Sequence, residues 1–166
     1  MGISSIVAQQ EHADLMKSIE TYTLVAISLY DGFISCWAEK YRSSLIRPET
    51  VINTSIDEDW VPLLQTPPFP EYTSGHSVIS SSAAITLTDL YGPNVHFMDS
   101  TEAEYGLPPR QFTSFIEASE EAAISRLYGG IHYMPAIENG IEQGRKVGRY
   151  VIEKLKTRKE EAVAGR

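Results

Sequence analysis

A chain of 166 residues, 42% of them hydrophobic, is long enough for one domain with a real core and too apolar to be disordered. Its net charge of −8 argues against a nucleic-acid or anionic-membrane surface, so any anion site must be a local basic pocket in an acidic protein. The single cysteine, Cys36, permits no intrachain disulfide, and the longest apolar stretch, around Leu24–Trp37, is broken by Asp31 and Gly32 and falls short of a membrane span.

The first residues, Met1 to Ile6, lack the basic segment of a secretory signal and the hydroxyl residue of a myristoylation site, which leaves the compartment undecided. Apolar residues at Leu15, Ile19, Tyr22, Ala26, Leu29, Phe33, Trp37, Tyr41 and Leu45 recur in steps of three and four. This spacing predicts one long helix that Pro48 ends. Gly32 costs that helix roughly 1 kcal/mol relative to Ala and is a candidate bend. From Arg47 to Thr73 the pattern fails, and Pro62, Pro67, Pro68 and Pro70 make this a long ordered loop, of a kind usually functional or disordered.

A second helix is expected from about His76 to Tyr91, stopped by Gly92 and Pro93. After a polar loop containing Pro108 and Pro109, a third helix runs from Thr113 to Leu127 and ends at Gly129-Gly130. Pro135 suits the first turn of a fourth, with Ile137, Ile141, Gly144, Val147, Val151 and Leu155 as its buried stripe. The pattern reads as one all-α bundle over residues 1–158, followed by a charged tail at 159–166.

Three clusters carry candidate chemistry. Lys40 lies one helical turn from Trp37 and six residues before Arg47-Pro48; an ammonium and a guanidinium together can grip a tetrahedral oxyanion. Thr73-Ser74-Gly75-His76-Ser77 opens a helix, where backbone N–H groups and the dipole favour an anion, the Ser74 hydroxyl can donate, and His76 can pass a proton. Ser125-Arg126 precedes His132 across a glycine turn that can bring the two side chains together. Taken singly, each has a bland reading: a solvated basic face, a capped helix, a helix-terminal histidine with a surface arginine.

Jointly they are more specific. Lys-x6-Arg-Pro, 24 residues, Thr-Ser-Gly-His, 48 residues and Ser-Arg-x5-His resemble the three-part signature of the type 2 phosphatidic acid phosphatase and vanadium haloperoxidase superfamily, in order and in spacing. The resemblance runs from about Asp14 to Glu153 and implies the helical bundle of that superfamily, in particular the C-terminal, ligand-bearing half of its soluble haloperoxidases. It implies that Lys40, Arg47, Ser74, Gly75 and Arg126 bind the oxygens of vanadate or phosphate. His76 is then the acid–base residue, and His132 bonds to vanadium or becomes a phosphohistidine. Trp37 and Phe69 look similar to the aromatic pair associated with the halide pocket of fungal chloroperoxidases, although core packing accounts for them equally.

The resemblance thus implies vanadate-dependent oxidation of halide by hydrogen peroxide. An acid phosphatase acting on phosphomonoesters, or a phosphate- or vanadate-binding protein without turnover, are the alternatives. Two positions depart from the family pattern. Thr73 stands where Pro is usual, and Ala136 stands where an Asp commonly orients the last histidine, a task left to Glu138 or a backbone carbonyl. The apolar stripe of the first helix extends well beyond Lys40, from which self-association, or a partner supplying further helices, is expected.

Overall fold

The computed structural model describes residues 1–157, so the charged tail expected at 159–166 lies outside the described residues. Six α-helices are present among them: α1 (Gly2–Gln10), α2 (Leu15–Ser43), α3 (Pro48–Ser55), α4 (Gly75–Tyr91), α5 (Phe115–Tyr128) and α6 (Met134–Lys154). Between α4 and α5, strands β1 (Phe97–Asp99) and β2 (Arg110–Phe112) pair antiparallel, Phe97 opposite Phe112. No helix among the described residues is long and apolar enough to cross a membrane.

The helix ends follow from short polar residues. Asp14 accepts the Lys17 N–H at 2.7 Å to start α2, and Ser44, left-handed at φ 48°, ends it. Ser114 caps α5 through Glu117 N, while the Glu117 carboxylate reaches back to Thr113 N at 2.6 Å, a reciprocal pair that satisfies two otherwise orphaned donors.

The centre of the bundle is α4, which packs on α2, α5 and α6. Its buried residues are mostly small, including Ser77, Val78, Ser81, Ser82, Ala84 and Thr86. Small residues allow backbones to approach closely, and α6 meets this face with glycines. A methyl group on Gly144 would stand 2.1 Å from the Val78 carbonyl oxygen, and one on Gly148 2.7 Å from that of Ser82. Hydroxyls fasten α2 to the opposite side: Ser28 Oγ lies 2.6 Å from Thr86 Oγ1, and Ser82 Oγ donates to the Ser28 carbonyl at 3.0 Å. Away from α6, Val7, Val25, Leu87, Phe97, Phe112 and Phe115 form the apolar core, sealed by α1 and the hairpin.

Several expectations need correction. The long helix ends at Ser43 without help from Pro48, which instead opens α3, so the stretch from Arg47 to Thr73 is not all loop. A proline lacking N–H costs nothing in a first turn, whose donors have no helical acceptor. Among the described residues there are six helices rather than four because α1 and α3, nine and eight residues long, are too short to show a periodic stripe. The buried side of α6 is Ala136, Ile137, Gly140, Gly144, Gly148 and Val151; Ile141 and Val147 sit at its edges and Leu155 is exposed.

The glycine contacts predict opposite effects for two Gly→Ala changes. Gly144→Ala forces α4 and α6 apart and should cost about 1–3 kcal/mol in thermal or urea unfolding. Gly32→Ala meets its nearest atom at 3.5 Å, an ordinary contact, and should be neutral or stabilising by up to about 1 kcal/mol through helix propensity.

Candidate functional site

Lys40 sits in the last turn of α2 and is fully buried. Its ammonium donates to two successive carbonyls, Pro70 O at 2.9 Å and Glu71 O at 3.0 Å. Arg47 caps α3 and is 5% exposed. It donates through Nε to Phe69 O at 3.0 Å, through Nη2 to Pro70 O at 3.2 Å and through Nη1 to Ile131 O at 2.8 Å. One three-residue segment, Phe69-Pro70-Glu71, therefore anchors both cations with neutral acceptors.

The same segment also holds His132. Glu71 is 1% exposed, and its Oε1 lies 2.7 Å from His132 Nδ1 and accepts the Tyr133 N–H at 3.0 Å. On the other side of the ring, Nε2 stands 3.1 Å from Arg47 Nη1. A guanidinium has no lone pair, so Nε2 must be the acceptor and Nδ1 the protonated nitrogen. This assigns His132 one tautomer, with the Nε2 lone pair available.

At the start of α4, Ser74 is the N-cap: its Oγ accepts from Ser77 N at 3.4 Å, leaving the hydroxyl proton free for another acceptor. The N–H groups of Gly75 and His76, in the first turn, have no helical acceptor. The start is tied down by Ser74 N donating to Ala136 O at 3.0 Å and by Thr73 Oγ1 donating to Gln143 Oε1 at 2.6 Å.

The electrostatics are those of a pocket short of negative charge. Desolvation lowers the Lys40 ammonium from its ordinary value to about 8; Arg47 pushes the same way, against Cys36 and Glu71. Arg47 and Arg126 are lowered by desolvation too, and Arg126 is among the charges acting on Arg47. Arg126 Nε is buried with no hydrogen-bond partner among the described residues. His76 is exposed, yet loss of surrounding solvent, then Arg126 and His132, lower its imidazole to about 4. An Arg126 Nε unpartnered among the described residues, converging cations and first-turn N–H groups without helical acceptors are donors of the kind an anion satisfies.

Trp37 and Phe69 lie beside these groups. Their ring centroids are 5.1 Å apart, Lys40 Nζ is 5.7 Å from the Trp37 centroid and 5.2 Å from that of Phe69, and Phe33 stacks on Trp37 at 3.9 Å. Lys40, Arg47, Phe69, Trp37 and His132 are thus linked by contacts, and His76 and Arg126 by their fields. Ser125 is not part of this group: its hydroxyl bonds back to Ala122 O, and it lines a separate cleft of about 540 Å³ between α4, α5 and the hairpin. Glu138 is exposed and bonds nothing at His132; the group bonded to His132 Nδ1 is the Glu71 carboxylate. Its signal in the sequence was slight, a lone acid in a proline-rich segment directly ahead of Thr73-Ser74-Gly75-His76.

A helical bundle here brings cations, a helix N-terminus and a tautomer-fixed histidine together. The family model described as the VCPO second helical-bundle domain matches residues 20–161, and the chain belongs to that family. Among solved structures, the chain is similar to the first bacterial vanadium-dependent iodoperoxidase, at 57% identity and a TM-score of 0.92, over 93% of this chain and 37% of that one. A holo-type bacterial vanadium-dependent chloroperoxidase shares the fold, with a TM-score of 0.74 at 18% identity, over 92% of this chain and 40% of that one. The chain therefore spans well under half the length of these relatives. None of the curated proteins matches it.

The lowered Lys40 value predicts a pH dependence. The ammonium is cationic below about 8 and loses its proton above that, so affinity for inorganic phosphate should fall as pH rises from 7.5 to 9.5. Calorimetric titration of Lys40→Met should show weaker binding with most of that slope removed.

Proposed function

We propose that this chain forms the vanadate-binding part of a vanadium-dependent haloperoxidase that oxidises halide with hydrogen peroxide. The observation that carries the reading is the buried, unpartnered Nε of Arg126 among cations whose own acceptors are neutral carbonyls. Such a site leaves unmet donors and uncompensated charge, both of which a tetrahedral oxyanion would satisfy. Lys40, Arg47, Arg126, the Ser74 hydroxyl and the Gly75 N–H would hold its oxygens, and His132 Nε2 would bond to the central atom. For that bond to form, Arg47 Nη1 must turn from Nε2 to an anion oxygen.

Vanadate, when bound, supplies the Lewis acid that activates hydrogen peroxide toward halide. The protein's residues orient and move protons around it. His76, exposed and neutral above about pH 4, can take a proton from an incoming peroxide. Lys40, held by two carbonyls, keeps one N–H for a bound oxygen and stabilises charge developing there. Trp37 and Phe69 give the halide a polarisable wall beside the Lys40 ammonium. Iodide is the first halide to test, because the relative at 57% identity is an iodoperoxidase.

The phosphatase reading keeps one specific support. The carboxylate bonded to His132 Nδ1, which Ala136 had put in doubt, is supplied by Glu71, so Nε2 is equipped for in-line attack on a phosphomonoester, and His76, protonated only near or below pH 4, would protonate the leaving oxygen in acid. Comparing iodide peroxidation with and without added vanadate, beside hydrolysis of a chromogenic phosphomonoester by the vanadate-free chain, separates the two. We also propose an apolar partner, a second copy in the simplest case. Leu15 is 74% exposed, Ile19 51% and Tyr30 67%, and each side chain left in water forgoes roughly 1.5–3 kcal/mol. Light scattering at micromolar concentration should report a mass above that of the monomer.

His132→Ala should abolish vanadate-dependent activity while leaving the far-ultraviolet circular dichroism unchanged. Phosphate and vanadate should exclude one another in calorimetric titration, since both need the same cations. Independent, additive binding would mean that Lys40, Arg47 and Arg126 do not serve one site.

A further inference from the structure

Two contacts hold the His132 ring, and only one of them can survive ligand binding. The contact from Arg47 Nη1 occupies Nε2, the nitrogen through which the ring would meet an anion's central atom, so it must be given up. What then remains is Nδ1 against Glu71 Oε1 at 2.7 Å. That oxygen also accepts the N–H of Tyr133, the residue directly after the imidazole, at 3.0 Å, so it is an acceptor on both counts and Nδ1 must donate. Both side chains are buried, so water does not compete for the bond. The position four residues after His132 is Ala136, which has no side-chain group to offer and whose carbonyl is engaged by Ser74 N.

We infer that Glu71 is the positioning residue of this site: its carboxylate oxygen keeps His132 protonated at Nδ1, and Nε2 facing the pocket, while Arg47 exchanges its ring contact for the ligand. Glu71 reaches His132 from the segment ahead of α4, 61 residues away in sequence. The same residue offers its backbone carbonyl to Lys40, so one position orients the histidine and anchors a cation. The inference deepens the oxyanion reading of the pocket, but its first test needs no ligand.

Nitrogen-15 NMR of the full chain, labelled at histidine, reports which ring nitrogen carries the proton. Wild type should show His132 with a slowly exchanging Nδ1 proton and an unprotonated Nε2. Glu71→Gln should keep that pattern, because the Tyr133 N–H selects the amide oxygen and turns it toward Nδ1. In Glu71→Ala the Nδ1 proton should exchange fast, its acceptor gone, while the Arg47 contact at Nε2 still favours that tautomer in the ligand-free chain. A second arm measures orthovanadate and inorganic phosphate affinity by calorimetry, which should fall roughly 10–100-fold in Glu71→Ala and recover largely in Glu71→Gln. A slowly exchanging Nδ1 proton with unchanged affinity in Glu71→Ala would overturn the inference, as would fast exchange of that proton in a folded Glu71→Gln. If wild type binds neither anion, the functional reading fails while the tautomer arm still decides the role of Glu71.

Discussion

The site depends on where buried cations find their acceptors. Carboxylates beside Lys40 and Arg47 would satisfy their N–H groups and cancel their charge together. Backbone carbonyls of Phe69, Pro70, Glu71 and Ile131 satisfy the donors and leave the charge standing. Within this group the only carboxylate is that of Glu71, and its Oε1 is taken by His132 and Tyr133 N. The pocket therefore stays locally positive inside a chain of net charge −8. Pro70 suits this arrangement, since it presents a carbonyl without an N–H of its own to place.

The bundle holds this segment by fixing α4. Glycines on α6 and hydroxyl bonds between α2 and α4 let both helices close on α4 and hold it in place. The tie from Ser74 N to Ala136 O then joins the start of α4 to the first turn of α6, just beyond His132. Thr73 repeats the link through Gln143, which in turn reaches Ser35 on α2 at 2.9 Å. The residues proposed to meet the anion thus come from five segments, and close backbone packing of α2 and α6 on α4 fixes three of the helices that carry or flank them. A site needing tenths-of-an-ångström placement benefits from such packing, because small residues leave few rotamers to adjust.

Much of this was legible in the residues. The three motifs named Lys40, Arg47, Ser74, His76, Arg126 and His132 because fixed spacing across a helix end or a glycine turn is a local property. The long helices showed their periodicity, and Gly92 and Gly129 marked two stops. Other features left no local trace. Glu71 pairs with a residue 61 positions away, and nothing in Phe69-Pro70-Glu71-Tyr72 announces which way its side chain turns. Gly140 and Gly148 do more than Leu155 to seat α6, yet glycine carries no hydrophobic signal, so the stripe was assigned to larger neighbours. The helix α1 is stabilised by packing on α2 and β1, not by a pattern of its own.

The most direct test of the account is the position of vanadium in a crystal of this chain grown with orthovanadate, located by anomalous scattering at the vanadium edge. The account predicts one strong peak at bonding distance from His132 Nε2, with Arg126 Nε donating to one of its oxygens and Arg47 Nη1 moved off the ring. A peak held elsewhere on the surface, or a His132 ring still bonded to Arg47 with no vanadium beside it, would contradict the claim that these residues form one oxyanion site.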